Sequence, residues 1–290
     1  MGHVVKESDL HRLVRELAKR TREEIDQAKL AIDNFEGISR EYKIKFQWQD
    51  MSLDTDGHYL KGMRIITLNR RITHPERRNF SFCHELTHDR IECDDELREI
   101  IHEFTYEMSE QDEERLMERL CNIGAAELLI PSEEVREIID QRGLSTELIP
   151  ELCERFNASS LAVAFKMVST ALHTCYLFIA EKRGIVADKN QPILFKVKSN
   201  RNWHLWIIYS GSSPAAQYTM GRNYSVSSGH LMYRAIDSDG EVVQGIDDIP
   251  RRNSKNHRWE VKCDCLAYKG WVFGFFHETQ PTSPNQLRLL

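Results

Sequence analysis

The sequence predicts an α+β protein in three parts: a mixed region over 1–131, a helical segment over 132–172 and a β-rich region over 173–290. Three observations carry that reading. Apolar residues recur at helical spacing near the N-terminus, through Leu10, Leu13, Val14, Leu17 and Ile25. Residues 132–172 look helical with breaks near 142–145 and 157–159. Beyond about residue 175, short runs rich in aromatic and β-branched residues alternate with Gly, Asn, Asp and Ser. A length of 290 residues allows roughly two domains and a sizeable core.

The elements follow in order. A helix is expected over 8–32. Tyr42, Ile44, Phe46 and Trp48 alternate as a half-buried strand. Asp54-Thr55-Asp56-Gly57 marks a turn, and Met63 to Leu68 reads as a second strand. Thr73-His74-Pro75-Glu76 has a capping-box pattern and opens a helix through about residue 90. A further helix covers roughly 112–129 and stops at Pro131. In the C-terminal part, strands are expected at 175–180, 192–197, 203–209, 232–236, 259–262 and 271–276. The tail over 280–285 reads as disordered.

Composition excludes several classes. Hydrophobic residues make up 41% and charged residues 29%, which rules out a collagen-like or wholly disordered chain. No apolar run reaches the roughly 18 residues that a membrane-spanning helix needs. The N-terminus lacks the apolar core of a signal peptide. The 7 cysteines are irregularly spaced and read as reduced thiols, so a cytoplasmic protein is expected. Net charge is −6, but residues 81–160 alone hold 7 Lys/Arg against 22 Asp/Glu. Such an acidic middle repels nucleic acid and attracts cations or a basic protein.

The chemistry lies in His84-Glu85-Leu86-Thr87-His88. On a helix, residues four apart project from one face about 6 Å apart, so two imidazoles can chelate one metal ion. The intervening glutamate can act as general base on a water. Phe82 and Leu86 fall on the opposite face and suit a core. A third ligand is needed, and Glu118 lies on the next helix with Asn122 on the same face. Asn122 can orient a ligating histidine through its distal N–H. Glu113, Glu114 and Glu127 compete with Glu118 for that place. His102 and Tyr106, between the motifs, are candidates to stabilise an oxyanion. If the strand at 63–68 is a sheet edge, an extended substrate can add to it; the alternative is a paired interior strand.

Residues 78–88 together with Glu118-Arg119-Leu120-Cys121-Asn122-Ile123-Gly124-Ala125-Ala126-Glu127-Leu128-Leu129-Ile130-Pro131 resemble the ImmA/IrrE family of metallopeptidases, and within it the IrrE type. The resemblance implies a zincin-like metallopeptidase domain over 1–131, a helix-turn-helix-like segment over 132–172 and a GAF-like sensor domain over 173–290. It implies metal ligands at His84, His88 and Glu118 and a general base at Glu85. The ion expected is zinc, with manganese or iron also admitted by such a site. The implied activity is cleavage of a helix-turn-helix repressor of the XRE type, releasing a stress or DNA-damage response. The rival is a metal-binding regulator that sequesters a repressor or binds DNA without proteolysis.

Three weaker signals remain. Residues 145–168 read as helix-turn-helix, but the second helix offers only Lys166 and the first carries Glu147, Glu151 and Glu154, so direct DNA binding is not expected. Cys263-Asp264-Cys265 reads as buried or edge thiols, with redox sensing as the alternative. Arg251, Arg252, Lys255, His257 and Arg258 form a basic patch.

Overall fold

A computed structural model describes residues 5–184, 203–250 and 259–278. They fall into two compact units, Met1–Ser132 with Glu154–Ser159, and Glu133–Cys153 with Ser160–Leu290. The expected strand at 192–197, the tail at 280–285 and the basic patch at 251–258 lie outside the described residues.

The first unit opens with α1 (Glu7–Gln27), which buries Leu10, Val14, Leu17, Ala18 and Ile25 on one face. It ends short of residue 32 because Lys29 turns left-handed at φ 55°. A short helix that the sequence reading missed, α2 (Phe35–Glu41), follows, capped by Asn34 accepting from the Gly37 N–H at 3.0 Å. Three strands come next: β1 (Lys45–Gln49), β2 (Gly57–Leu60) and β3 (Ile65–Asn69). The expected strand at 42–48 begins only at Lys45, since Lys43 is left-handed at φ 56°. Phe46 and Trp48 pack with Phe35, and Phe46 also meets Phe82.

β3 lies between its neighbours, parallel to β1 and antiparallel to β2. The segment read as a possible sheet edge is therefore interior. The free edges belong to β1 and β2, and β2 was not foreseen at all. Asn69 fastens the loop that leads into β2: its amide donates to the Ser52 and Thr55 carbonyls, and its oxygen accepts from Met51 N–H and Arg71 N–H. The side chain is almost fully buried with every bond met.

The metal-motif helix α3 (Pro75–Cys93) starts with Pro75 in its first turn. The predicted capping box does not form. Proline forces the residue before it to stay extended, so His74 rather than Thr73 occupies the cap, with no side-chain bond. α4 (Asp95–Thr105), also missed, is capped by Asp94 accepting from Leu97 N–H. α5 (Glu110–Leu129) begins at Ser109, whose hydroxyl accepts from Asp112 N–H. Residues of α1, α3, α4 and α5 form one apolar cluster through Leu10, Val14, Ile91, Ile101, Leu116 and Leu120.

The helical stretch breaks where expected, into α6 (Ser132–Arg142), α7 (Leu148–Phe156) and α8 (Ser160–Thr170). The rest is β4 (Cys175–Gly184), β5 (Trp203–Ser212), β6 (Tyr224–Ser225), α9 (Leu231–Asp237), β7 (Val243–Asp248), β8 (Glu260–Tyr268) and β9 (Trp271–His277). These strands form one antiparallel sheet in the order β6-β5-β4-β9-β8-β7. Leu177 pairs with Gly211, whose Cβ position would sit 3.2 Å from Phe165 and Val168, so α8 covers that face. Tyr176, Phe178, Cys263, Cys265 and Phe276 point to the other face and pack with Leu231, Met232 and Tyr233 of α9. The expected strand at 232–236 is thus a helix. The Leu231 N–H is taken by the Asp247 carboxylate and the Met232 N–H by His230, which starts a helical turn. Phe273, Phe275 and Phe276 are core, whereas Trp203, Trp206, Trp259 and Trp271 are only partly buried, and Cys263 and Cys265 are buried thiols.

Within this second unit, Asp264 is 5% exposed and accepts from Thr146 N–H, from the Ser145 hydroxyl and from His277 Nε2. His277 Nδ1 lies 3.0 Å from His173 Nε2. The ring centroids are 5.3 Å apart, so the bonded nitrogens lie between them and the rings meet end to end.

Candidate metal centre

The centre is built on the inner faces of α3 and α5. Four-residue spacing on α3 brings His84 Nε2 within 3.3 Å of His88 Nε2. From α5, Glu118 places Oε2 3.2 Å from His84 Nε2 and Oε1 3.3 Å from His88 Nε2. Among the described residues this is the one group of three such side chains whose ligand atoms converge. Glu113 and Glu114 are exposed on α5. Glu127 is nearly buried and accepts from Ser132 N–H and its hydroxyl, so it serves the chain turn after α5.

The tautomers favour lone pairs at the centre. Asn122 Oδ1 lies 3.1 Å from His84 Nδ1, so that nitrogen carries the proton and Nε2 is left as an acceptor. Burial, and then the charge of His84, push the His88 imidazole below its usual value against the pull of Glu118, which favours its neutral form. A tetrahedral ion with bonds of about 2.0 Å separates its ligand atoms by about 3.3 Å. The 3.3 Å between the two histidine nitrogens fits that ion, and Glu118 turns one oxygen toward each of them.

Glu85 is 7% exposed and faces the same space. Burial, and then the charge of Glu118, raise its carboxyl to about 8, while the polarity of the nearby Tyr59 backbone works the other way. A Cβ on Gly57 would come within 3.3 Å of Glu85 Oε1 and within 3.0 Å of Leu68 and Thr67, so only glycine lets β2 pass here. Gly124 does the same for the helices. A Cβ there would lie 2.4 Å from Thr87, so α5 can approach α3 closely two residues beyond Asn122. Thr87 itself is pinned, its hydroxyl donating to the Cys83 carbonyl at 2.7 Å.

His102 and Tyr106 are not brought to the centre. α4 buries Leu97, Ile101 and Thr105, so the next position round the helix in each case faces outward. Tyr106 is 80% exposed and His102 is exposed as well. The sequence reading missed Tyr59, whose ring lies parallel to His88, and Asp89, which is fully buried and paired with Arg64. An aspartate next to the second histidine was visible, but its partner lies across the sheet and no local signal marks it.

Comparisons with known proteins bear on this geometry. A model of the IrrE N-terminal-like domain, Peptidase_M78, matches residues 42–168. This part of the chain is thus similar to the IrrE N-terminal-like domain. The matched span holds β1 to α8 and with them all the converging side chains. A radiation response metalloprotease IrrE from Deinococcus deserti is 30% identical over 190 residues, 65% of this chain and 63% of that protein. Its namesake from Deinococcus radiodurans is 25% identical over 231 residues, 78% of this chain and 64% of that one. The chain thus spans less than two thirds of either relative. A solved structure named as a Mycobacterium tuberculosis transcriptional regulator shares the fold, with a TM-score of 0.55 at 14% identity, covering 93% of this chain and 81% of its own. Among the described residues no helix is long and apolar enough to cross a membrane.

Proposed function

We propose that this ImmA/IrrE-type chain is a zinc-dependent endopeptidase that cuts a transcriptional repressor of the XRE, helix-turn-helix type. One observation carries the reading: one ligand atom from each of His84, His88 and Glu118 lies within 4.8 Å of the other two, with the Glu85 carboxyl near enough to feel the Glu118 charge. His84, His88 and Glu118 hold the ion. Zinc, when bound, polarises the scissile carbonyl and acidifies the attacking water. Glu85 takes the proton of that water and hands it to the leaving amine. Asn122 keeps the His84 ring in its ligating tautomer. Manganese fits the same donor set less selectively.

The free edge of β2 is where an extended substrate segment would lie, since the strand passes beside Glu85. The 22 Asp/Glu of residues 81–160 suit a basic, DNA-binding substrate in the cytoplasm. Residues 173–290 would serve as a GAF-like sensor domain, a reading supported by their antiparallel sheet with helices on both faces.

The test incubates zinc-loaded protein with helix-turn-helix repressors of the same genome, beside Glu85→Gln, and reads fragments by mass spectrometry. One discrete cut by the wild type alone is expected. A repressor that binds the wild type and Glu85→Gln equally, with no cut by either, favours sequestration instead.

A further inference from the structure

Tyr59 sits on the edge strand, outside the motif residues, yet it reaches the centre from several sides. Its strand passes the base, since a Cβ on Gly57, two residues earlier, would lie 3.3 Å from Glu85 Oε1. Its ring lies within 12° of parallel to the His88 imidazole, with centroids 6.4 Å apart. Its hydroxyl lies 2.6 Å from Glu92 Oε2 and 3.1 Å from Asp89 Oδ1, on the α3 turn that follows His88. The anchor at that end is strong. Asp89 is fully buried and takes two bonds from the Arg64 guanidinium, at 2.9 and 2.8 Å. Such paired, charge-assisted bonds fix direction as well as distance. Glu92 also accepts from Gly62 N–H in the turn between β2 and β3. The β2–β3 hairpin is therefore clamped to α3 just past the second histidine.

His84 has Asn122 to hold its ring. An imidazole turns about two side-chain bonds, and a ligand that turns loses its aim. We propose that Tyr59 is a positioning residue of the metal centre: its ring, held by its hydroxyl on α3, backs the His88 imidazole. The inference rests on the metallopeptidase reading of the site and deepens it, because it ties the strand that would receive substrate to a metal ligand. Tyr59 itself touches no reacting atom.

The test uses the full chain with Co2+ as the probe, comparing wild type, Tyr59→Phe and Tyr59→Leu. Affinity, the visible absorption of the bound Co2+ and the melting temperature are read for each. Tyr59→Leu removes the ring and is expected to weaken Co2+ by about 10-fold and to shift its absorption, as loss of a group that orients a ligand does. Tyr59→Phe keeps the ring and loses only the hydroxyl. It is expected to rescue the absorption and to hold affinity within about 3-fold, the scale of one lost hydrogen bond. Should Tyr59→Leu not fold, Tyr59→Met is the ring-free variant, being longer and more adaptable. A ring-free variant that melts lower but binds Co2+ with unchanged affinity and absorption overturns the proposal, leaving Tyr59 a structural residue only. A wild type that takes no Co2+ overturns the metal reading and this inference together.

Discussion

His84 and His88 in the first unit meet at an angle of 67°, whereas His173 and His277 in the second meet end to end with rings 24° apart. The nitrogen separations are close, 3.3 and 3.0 Å. What differs is the third group. In the first pair Glu118 stands off both Nε2 atoms at once and makes a triangle of ligand atoms. In the second pair the carboxylate of Asp264 lies behind His277, on its far nitrogen, and makes a line. A carboxylate accepts only, so His277 Nε2 carries the proton and its Nδ1 accepts from His173. A triangle of lone pairs suits an ion; a line of donors and acceptors is satisfied by protons alone. The placement of one carboxylate, more than the presence of two histidines, separates a metal centre from a structural hydrogen-bond chain.

That contrast can be broken most directly at its two carboxylates. Glu118→Ala is expected to lower zinc affinity on the order of a thousandfold, since it removes one of three protein ligands; calorimetric titration reads it. If zinc binds the variant as well as the wild type, the triangle is not the site. Asp264→Ala should instead leave zinc affinity unchanged and destabilise the protein by about 3 kcal/mol, because Thr146 N–H and His277 lose a buried, charged acceptor. Denaturant unfolding checks it, and a variant as stable as the wild type would show that the line carries no load.

Finer tests sharpen the comparison. Asn122→Ala frees the His84 tautomer and should cost zinc affinity about 10-fold without changing stoichiometry. The smallest effect is one of pH. Burial, and then the charge of His277, hold the His173 imidazole below its usual 6.5. Its neutral form is therefore favoured in the fold, and below about pH 6.5 the unfolded chain takes up that proton first. Stability should be full above that pH and fall as the solution is acidified through the depressed value. His173→Gln should flatten part of this slope in melting curves taken across the range. An unchanged slope would mean that the pair does not sense acid.

How much of this was legible depended on how local each signal was. His84, Glu85, His88, Glu118 and Asn122 were readable because helical spacing alone puts them on shared faces. The breaks at 142–145 and 157–159 were readable from glycine, serine and asparagine. The interior position of β3 was not, because strand order is a matter of pairing between distant segments. The run 232–236 was short and apolar, and such runs look alike as strand or helix until a partner such as Asp247 supplies a cap. Arg64 and Asp89 are 25 residues apart, and neither announces the other. Tyr59 carried no signal of its own, because its four-residue strand is too short to show a pattern.

Gly124 gives the centre a property of a measuring tool. With Thr87 seated where a Cβ would be, the bare backbone of α5 rests on one short side chain of α3 that is itself pinned to the Cys83 carbonyl. The opening between Glu118 and the two histidines is then gauged by the backbone, before any ion arrives. A larger ion has to draw the half-exposed Glu118 side chain outward, because the helices have no slack to give.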